Sequence, residues 1–367
     1  MRRDRRRRVG ELNALQVFAG PRARALLRER GLRPEDVRAI PAAAGGPKGL
    51  ILNRLDRFLF ADWLPRSAQV VHLIGASIGA WRMACACLPD ADAALAHLGE
   101  DYIAQRYEHK PGKAPTPRHV SEVFAASLLQ RVGGREREVL ANPRLRLHVF
   151  TSRGVRLLGG DGRVRTPVGY LGAFVANAMA RRALGGFVER VIFSDPRDAM
   201  PLPTSDFRTR RVELRADNLR ASILASCTIP FWLEAVQEIA GAPRGPYWDG
   251  GITDYHLHLD YAAIADGWVL YPHFQPTLVP GWLDKGLRHR HRASPRLDNV
   301  VVLAPNPVWV ATLPGARIPD RSDFKRYGDD HDARAAAWRR AAAESARLAD
   351  DFDALTSRAS VEALPLP

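Results

Sequence analysis

The sequence predicts an α/β fold, in which short strands and helices alternate along the chain. Apolar runs typical of buried strands, such as residues 70–74, are followed by stretches in which apolar residues recur with helical spacing. Two strand-to-helix junctions, at 42–49 and 75–79, are rich in glycine. Loops of this kind expose backbone N–H groups that can face an anion or a developing negative charge. The sequence therefore predicts an α/β protein with two loops suited to chemistry.

The first part of the chain predicts a tail, two short helices, a strand and a third helix. Six arginines fall within the first eight residues, so residues 1–13 are predicted to form a basic disordered tail. Residues 14–30 predict two short helices interrupted at Gly20-Pro21, and residues 37–40 predict a strand. The first glycine-rich loop follows, and from Lys48 onwards the spacing of apolar residues predicts an amphipathic helix.

The stretch Val70–Leu88 has the order strand, tight turn and helix. The turn has the sequence Gly-Ala-Ser77-Ile-Gly, and Pro89 ends the helix predicted over residues 80–88. On so cramped a turn the serine hydroxyl projects away from the backbone, and flanking glycines remove the Cβ atoms that would collide with strand or helix. This arrangement is typical of a nucleophile elbow, although a purely structural glycine turn can have the same sequence.

The rest of the chain predicts further strands and helices. Residues 90–132 predict helix, and at 144–149 apolar side chains alternate with polar ones, which predicts a strand with one polar face. The remaining predictions are a turn at 159–162, strands at 188–193, 269–271 and 299–303, and helices at 221–230 and 332–350. Residues 285–292, KGLRHRHR, predict a solvated basic loop. No carboxylate or cysteine within it accompanies His289 and His291, so no metal site is expected.

The composition is basic and includes few cysteines. Lysine and arginine number 54 against 40 acidic residues, a formal charge of +14, which favours peripheral contact with an anionic membrane. The three cysteines lack metal-type spacing, and the amino terminus has no long apolar run that would mark a secretory signal. The most apolar stretch, 168–180, is interrupted by two glycines and an asparagine. We therefore expect a cytoplasmic protein without a membrane span or a cofactor.

Four short motifs stand in a fixed order along the chain. They are AAAGGPKG at 42–49, GASIGAWR at 75–82, SCTIP at 226–230 and DGG at 249–251. Together they resemble the patatin-like phospholipases of bacterial type, over residues 37–254. The resemblance implies a three-layer α/β/α fold with a central, mostly parallel sheet, and a carboxylic ester hydrolase that acts on a lipid ester or phospholipid. A catalytic domain is then expected at 14–270, with residues 271–367 as an extension packed on it.

The resemblance also indicates the candidate site residues. Ser77 corresponds to the nucleophile and Asp249 to the base of a serine–aspartate dyad. The oxyanion hole maps to Gly45, Gly46 and the amide of Lys48, and the supporting glycines of the motifs are Gly75, Gly79, Gly250 and Gly251. The first loop departs from the family pattern, because Ala44 replaces its usual first glycine and Pro47 has no N–H to donate.

The chemistry of these residue types is consistent with that reading. A serine hydroxyl is a weak nucleophile that needs an adjacent base, and a carboxylate is suitable when desolvation raises its pKa. Asp254 is a second candidate carboxylate and ranks below Asp249, whereas Ser226 is expected only to cap backbone groups at a helix end. Helical residues 90–135 and the apolar segment 168–180 are expected to cover the site and contact the acyl chain.

Other functions are compatible with parts of the sequence. A Ser-His-Asp hydrolase would use His256, His258 or His273, but it would leave the first glycine-rich loop and Asp-Gly-Gly unexplained. A non-catalytic lipid-binding or membrane-binding protein would fit the altered loop, yet it would need neither Ser77 nor Asp249. Charge alone suggests nucleic acid, and no specific nucleic-acid partner is expected. Acyl transfer to an alcohol would use the same residues as hydrolysis.

Overall fold

The structure is a computed structural model that describes residues 13–109, 113–160, 162 and 164–367. The basic tail predicted at 1–13 lies outside the described residues apart from Asn13, and so does residue 161 of the predicted turn. Ten strands of the described chain form one sheet. They are β1 (Leu15–Ala19), β2 (Val37–Ala42), β3 (Val71–Ala76), β4 (Leu145–Gly154), β5 (Val188–Ser194), β6 (Thr209–Glu213), β7 (Tyr247–Asp249), β8 (Trp268–Pro272), β9 (Val300–Pro305) and β10 (Leu364–Pro365).

The sheet is mixed and mostly parallel, as predicted. Its order is β10-β1-β9-β8-β2-β3-β4-β5-β6, and β7 pairs with β4 off this path. The pairs β1–β9, β4–β5 and β4–β7 are antiparallel, and the other pairs are parallel. Strands β3, β8 and β9 are buried along their whole length, which is typical of parallel strands covered on both faces.

Helices complete a three-layer α/β/α arrangement. The described residues form α1 (Pro21–Arg30), α2 (Asn53–Phe58), α3 (Ile78–Ala86), α4 (Ala91–Ala104), α5 (Pro117–Val132), α6 (Glu136–Ala141), α7 (Arg165–Met179), α8 (Leu219–Cys227), α9 (Gly251–Asp254), α10 (Pro307–Val310), α11 (Ser322–Tyr327), α12 (His331–Glu344) and α13 (Ala346–Thr356). Helices α2, α3, α4, α5, α8, α12 and α13 are linked by mutual contacts, whereas α7 packs in a separate apolar cluster around Trp248. None of these helices combines the length and the apolar character that a bilayer crossing needs.

Strand β4 brings two distant parts of the chain to the same place. Strand β3 runs beside its first half, so that Ala76 at the end of β3 lies opposite Phe150. Strand β5 occupies the other edge of β4. Strand β7 pairs with β4 beyond the end of β3 and places Asp249 opposite Thr151. The ends of β3 and β7 therefore face consecutive positions of β4.

The first stretch predicted as two short helices folds differently. Only its second half is helical, as α1, and its first half is strand β1. The side chains of β1 alternate between buried and half-buried, because successive side chains of a strand point to opposite faces of the sheet. The strand lies between β9 and β10. A pattern of period two over five residues resembles helical spacing too closely to be told apart by sequence.

Other boundaries also differ from the predictions. The helix predicted at 90–132 is two helices, because Thr116 caps α5 and Pro117 opens it. The helix predicted at 332–350 is divided at Ser345 into α12 and α13. The strands β6, β7 and β10 have no counterpart among the predictions. The other predicted strands and helices are present with shifted ends.

Two polar segments show how the fold treats charged and polar side chains. Strand β4 has the predicted polar face, but that face is buried; its His148 Nε2 lies 2.9 Å from His72 Nδ1. Five of the eight residues of the basic segment 285–292 are exposed, as predicted for a solvated loop, and two of the others bond to Asp284. Arg290 Nη1 donates to Asp284 Oδ1 at 2.8 Å, and His291 Nε2 lies 2.8 Å from the Asp284 carbonyl oxygen.

Candidate active site

Ser77 lies on the turn between β3 and α3 in a strained backbone conformation. Its φ of 55° and ψ of −133° belong to a region that residues with a Cβ rarely adopt. Close packing holds this turn: a methyl group at Gly79 would overlap the Ala42 carbonyl oxygen, and one at Gly75 would overlap the Ala80 backbone. The turn therefore requires glycine on both sides of the serine.

The structure brings Ser77 and Asp249 into direct contact. The Ser77 hydroxyl donates to Asp249 Oδ2 at 2.6 Å. The other carboxylate oxygen, Oδ1, accepts from the Gly251 N–H at 2.7 Å. A methyl group at Gly250, between these two residues, would overlap the Phe150 carbonyl oxygen, so the turn after β7 can sit against β4 only with glycine there. Each carboxylate oxygen thus has a fixed partner.

Burial makes the Asp249 carboxylate a stronger proton acceptor than an exposed aspartate. The residue is 7% exposed, and the loss of solvent raises its pKa from 3.8 to about 6. Hydrogen bonds from Ser77 and Gly251 lower the pKa, as do the cations Arg321 and Lys285, but burial outweighs them. The group is therefore mostly ionised at pH 7 and has the proton affinity that a general base needs.

Ser226 bonds to the backbone of Ser77. In the sequence, its position at a helix end does not reveal this contact. Its Oγ accepts from the Ser77 N–H at 2.8 Å and donates to the Phe150 carbonyl oxygen at 2.7 Å. Its own carbonyl oxygen accepts from the Gly250 N–H at 3.1 Å. Ser226 does bond backbone groups, as predicted, but these belong to the elbow and β4 rather than to its own helix.

The first glycine-rich loop contributes two available amides next to Ser77. Among the described residues the N–H groups of Gly45 and Gly46 have no acceptor, and the same holds for the N–H of Ile78 at the start of α3. The Lys48 N–H faces the Gly45 carbonyl oxygen at 3.4 Å, so this amide is less available. The arrangement provides several donors for one oxyanion.

An apolar cavity of about 450 Å³ opens at Ser77. Its walls include the end of α4, helix α5 and the segment after α8. Among the side chains that line it are Tyr102, Val120, Phe124, Ile229, Trp232 and Leu233. This size and composition suit a hydrocarbon chain. The predicted helical region 90–135 contributes to the lining, whereas the described lining residues include none from 168–180.

A second cavity of about 190 Å³ also reaches Ser77, and it is polar. Ser77 and Asp249 line one part of it, and the cations Lys48, Lys285 and Arg321 line another. Arg321 also borders the apolar cavity. One serine hydroxyl therefore faces a larger, mainly apolar cavity, which Lys113, Lys325 and Arg334 also border, and a smaller one with three cations in its lining.

The histidines that a catalytic triad would require are engaged elsewhere. His256 Nδ1 accepts from the Val279 N–H at 3.0 Å, and His273 Nδ1 accepts from the Gln275 N–H at 3.1 Å. Burial lowers the pKa of His258 to about 4 and that of His273 to about 3. The structure thus places the Ser77 hydroxyl against a carboxylate and not against a histidine.

Asp254, the second carboxylate considered as a base, serves an ion pair. Arg190 donates to both of its oxygens, from Nε to Oδ2 at 2.7 Å and from Nη2 to Oδ1 at 2.6 Å. Both residues are buried, so the pair is shielded from water. A carboxylate held in this way is a poor acceptor for a serine proton.

Comparison with known proteins adds one finding to this geometry. The family model described as patatin-like phospholipase matches residues 56–257, which is more than half of the chain. The match includes Ser77, Ser226 and Asp249, and it excludes the loop at 42–49 and everything after 257. A search of curated proteins gives no match.

Proposed function

Because this chain belongs to the patatin-like phospholipase family, we propose that it is a serine acyl hydrolase that cleaves carboxylic esters of lipids. Ser77 is the nucleophile and Asp249 is the base. The observation that carries the proposal is the hydrogen bond of 2.6 Å from Ser77 Oγ to Asp249 Oδ2, made between two buried groups. An activated serine requires such a contact with a base of suitable pKa.

In the first half-reaction, Ser77 Oγ attacks the ester carbonyl carbon while its proton moves to Asp249 Oδ2. The carbonyl oxygen becomes an oxyanion, which the free amides of Gly45, Gly46 and Ile78 stabilise. The C–O bond to the alcohol then breaks, and Asp249 gives its proton to the departing alkoxide. Ser77 is left carrying the acyl group.

In the second half-reaction, Asp249 takes a proton from water, whose oxygen attacks the acyl carbonyl carbon. The same amides stabilise the second oxyanion. When this intermediate collapses, the bond to Ser77 Oγ breaks, the serine regains its proton from Asp249 and the carboxylic acid leaves. An alcohol in place of water would turn the same steps into acyl transfer.

The acyl chain lies in the apolar cavity, whose lining offers aromatic and aliphatic contacts next to Ser77. The proposed catalytic unit spans 14–270, with residues 271–367 packed on it as an extension that also supplies β9, the strand between β1 and β8 in the sheet. The three cysteines are free thiols, which supports a cytoplasmic location.

Peripheral contact with an anionic membrane is a further part of the proposal. Helix α7 has an exposed apolar face made of Val168, Leu171, Phe174, Val175 and Met179. Exposed Arg165 and Arg182 flank this face at either end of the helix. Phe231 packs on Tyr170 of α7, and the adjacent Trp232 lines the apolar cavity. An apolar helix face between arginines suits the headgroup level of an anionic bilayer.

Active-site labelling tests the dyad. The wild-type chain, Ser77→Ala and Asp249→Asn are treated with a fluorophosphonate, while hydrolysis of p-nitrophenyl butyrate and palmitate is followed in the presence of EDTA. We expect labelling and turnover in the wild type, and a loss of kcat of roughly 1,000-fold or more in both variants.

Two outcomes would contradict the proposal in different ways. Turnover that survives Asp249→Asn but requires a histidine would indicate a Ser-His-Asp hydrolase. A folded wild-type chain that neither reacts with the probe nor hydrolyses either ester would indicate a non-catalytic lipid-binding protein.

A further inference from the structure

Three cations converge on the polar cavity beside the proposed dyad. Lys48 Nζ lies 3.6 Å from Asp320 Oδ2 and is therefore paired. Within the part of the chain that the structure describes, Lys285 and Arg321 have no carboxylate partner. Lys285 Nζ lies over the Tyr255 ring, 4.1 Å from its centre, and the Arg321 guanidinium makes no hydrogen bond.

The charges around this cavity do not balance. Its two lining carboxylates are Asp249, which accepts from the neutral Ser77 hydroxyl, and Asp320, which pairs with Lys48, so three cations face two negative charges. Arg321 is half-buried and Lys285 is exposed at the mouth of the cavity, so an anion entering it would neutralise the surplus positive charge.

Arg321 places positive charge beside the loop that is proposed to stabilise the oxyanion. A methyl group at Gly46 would lie 3.4 Å from Arg321 Nη2, so the guanidinium sits directly beside the oxyanion loop. With the acyl chain in the apolar cavity, an ester bound at Ser77 directs its alcohol part towards the polar cavity. Arg321 and Lys285 then lie where that alcohol part is held.

The family match does not include the cationic side of this compartment. It ends at residue 257, whereas Lys285, Asp320 and Arg321 all belong to the carboxyl-terminal extension. The cationic cavity is therefore built where the extension meets the loop that carries Lys48.

We propose that the cationic cavity is an anion subsite for the alcohol part of the substrate, so that the preferred esters carry a phosphate or carboxylate close to the bond that is cleaved. This inference rests on the proposed function. Arg321 can hold two oxygens of such a group at once, and Lys285 adds a second positive charge to the same cavity. A free phosphate ion would present the same chemistry, and the experiment separates the two sources.

A pair of matched esters tests the subsite. 1-Palmitoylglycerol 3-phosphate and 1-palmitoylglycerol differ only in the phosphate group. We expect the wild type to have a higher kcat/KM for the phosphate ester by about tenfold or more, and this preference to fall about tenfold in Arg321→Gln and in Lys285→Gln. Arg321→Lys should retain part of it. Arg340→Gln removes an exposed arginine of α12 and should leave the preference intact. Equal rates on the two esters, or a preference that all variants keep, would overturn the subsite.

A binding measurement separates this inference from the proposed hydrolysis. Calorimetry of Ser77→Ala with glycerol 3-phosphate and with inorganic phosphate requires no turnover. Tighter binding of glycerol 3-phosphate that weakens when Arg321→Gln is added supports the subsite. If neither ester is hydrolysed, that absence of turnover contradicts only the proposed function. Tighter binding of inorganic phosphate would assign the cavity to a free ion and contradict a substrate subsite.

Discussion

The carboxyl group of Asp249 has a pKa of about 6 because it is buried, although two hydrogen bonds favour its charged form. The folded-state pKa lies above the ordinary value of 3.8, so protonation stabilises the fold at low pH. That stability is lost as the pH rises through about 6, at a cost of about 3 kcal/mol. The environment of Asp249 therefore suits proton transfer better than it suits stability.

The pH profile of hydrolysis follows from this pKa. Only ionised Asp249 can accept the serine proton, so kcat/KM for p-nitrophenyl butyrate should fall about tenfold per pH unit below 6 and level off above it. The profile is measured from pH 4.5 to 8, over the range in which circular dichroism shows a folded chain. An inflection near 4 would show that the base is an ordinary exposed carboxylate instead.

Ser226→Ala tests whether the serine behind the elbow positions Ser77. The change leaves the Ser77 N–H and the Phe150 carbonyl oxygen without their partner, which should lower stability by about 1–3 kcal/mol. We expect kcat to fall about tenfold or more while KM changes little, because the nucleophile shifts without altering the apolar cavity. Both constants and the urea midpoint are measured.

Ser222→Ala is the matched control for that variant. Ser222 is equally buried on the same helix, and its hydroxyl bonds only the Leu219 carbonyl oxygen of its own helix, at 2.8 Å. Equal losses of kcat in the two variants would show that Ser226 matters only for the fold.

At the residue scale, the sequence predicts what lies within short motifs. Ser77, Asp249 and the loop glycines could be named because each stands in a local pattern, although the catalytic roles remain predictions. The bond from Ser226 to Ser77 spans 149 positions, and only β4 pairing reveals it. Lys285 and Arg321 stand in no motif, so their meeting beside Asp249 is visible only in the folded chain.

At the scale of elements, α3 crosses β2 so closely that there is no room for a Cβ atom at Gly79. A methyl group at Gly79 would overlap the Ala42 carbonyl oxygen, and neither backbone can move without disturbing the sheet. We expect Gly79→Ala to cost several kcal/mol of unfolding free energy, or to prevent folding, and to abolish fluorophosphonate labelling. Chemical denaturation and labelling measure both effects.

Gly185→Ala serves as the control for the element-scale prediction. There a methyl group would lie 3.5 Å from Arg208 Cβ, an ordinary contact distance. This variant should unfold close to the wild-type midpoint. A stable, reactive Gly79→Ala would show that the elbow helix can shift away from β2.

Elements were predictable where hydrophobic pattern and length agreed. The buried strands β8 and β9 and the elbow helix have clear apolar runs bounded by glycine or proline. Strand β1 is short and its pattern also fits helical spacing, and strand β6 has only one buried residue of five. Strand β4 carries polar side chains that become buried because both faces of the sheet are covered, a tertiary effect that local sequence does not encode.

At the scale of the whole molecule, the exposed face of α7 predicts how the protein meets a membrane. Phe174→Ser combined with Met179→Ser removes two exposed apolar side chains, and we expect affinity for phosphatidylglycerol vesicles to fall about tenfold or more. Binding should also weaken with salt, because arginines flank the face. Vesicle co-sedimentation measures it, with phosphatidylcholine vesicles for comparison.

Val308→Ser is the control for the membrane prediction, since Val308 is exposed and apolar but lies on α10. It should leave vesicle binding unchanged. A double variant that binds vesicles like the wild type would contradict the assignment of this face. A dimeric wild type and a monomeric double variant would show that the face binds a second copy of the chain instead.

Strand β4 aligns the ends of β3 and β7, and the two side chains that meet there are 172 positions apart in the sequence. During synthesis Ser77 therefore leaves the ribosome long before Asp249, and the proposed dyad forms only when the last of these strands docks. A truncated or half-folded chain consequently lacks the proposed dyad. We expect the rate at which ester hydrolysis returns after dilution from denaturant to report how fast long-range strand pairing is completed.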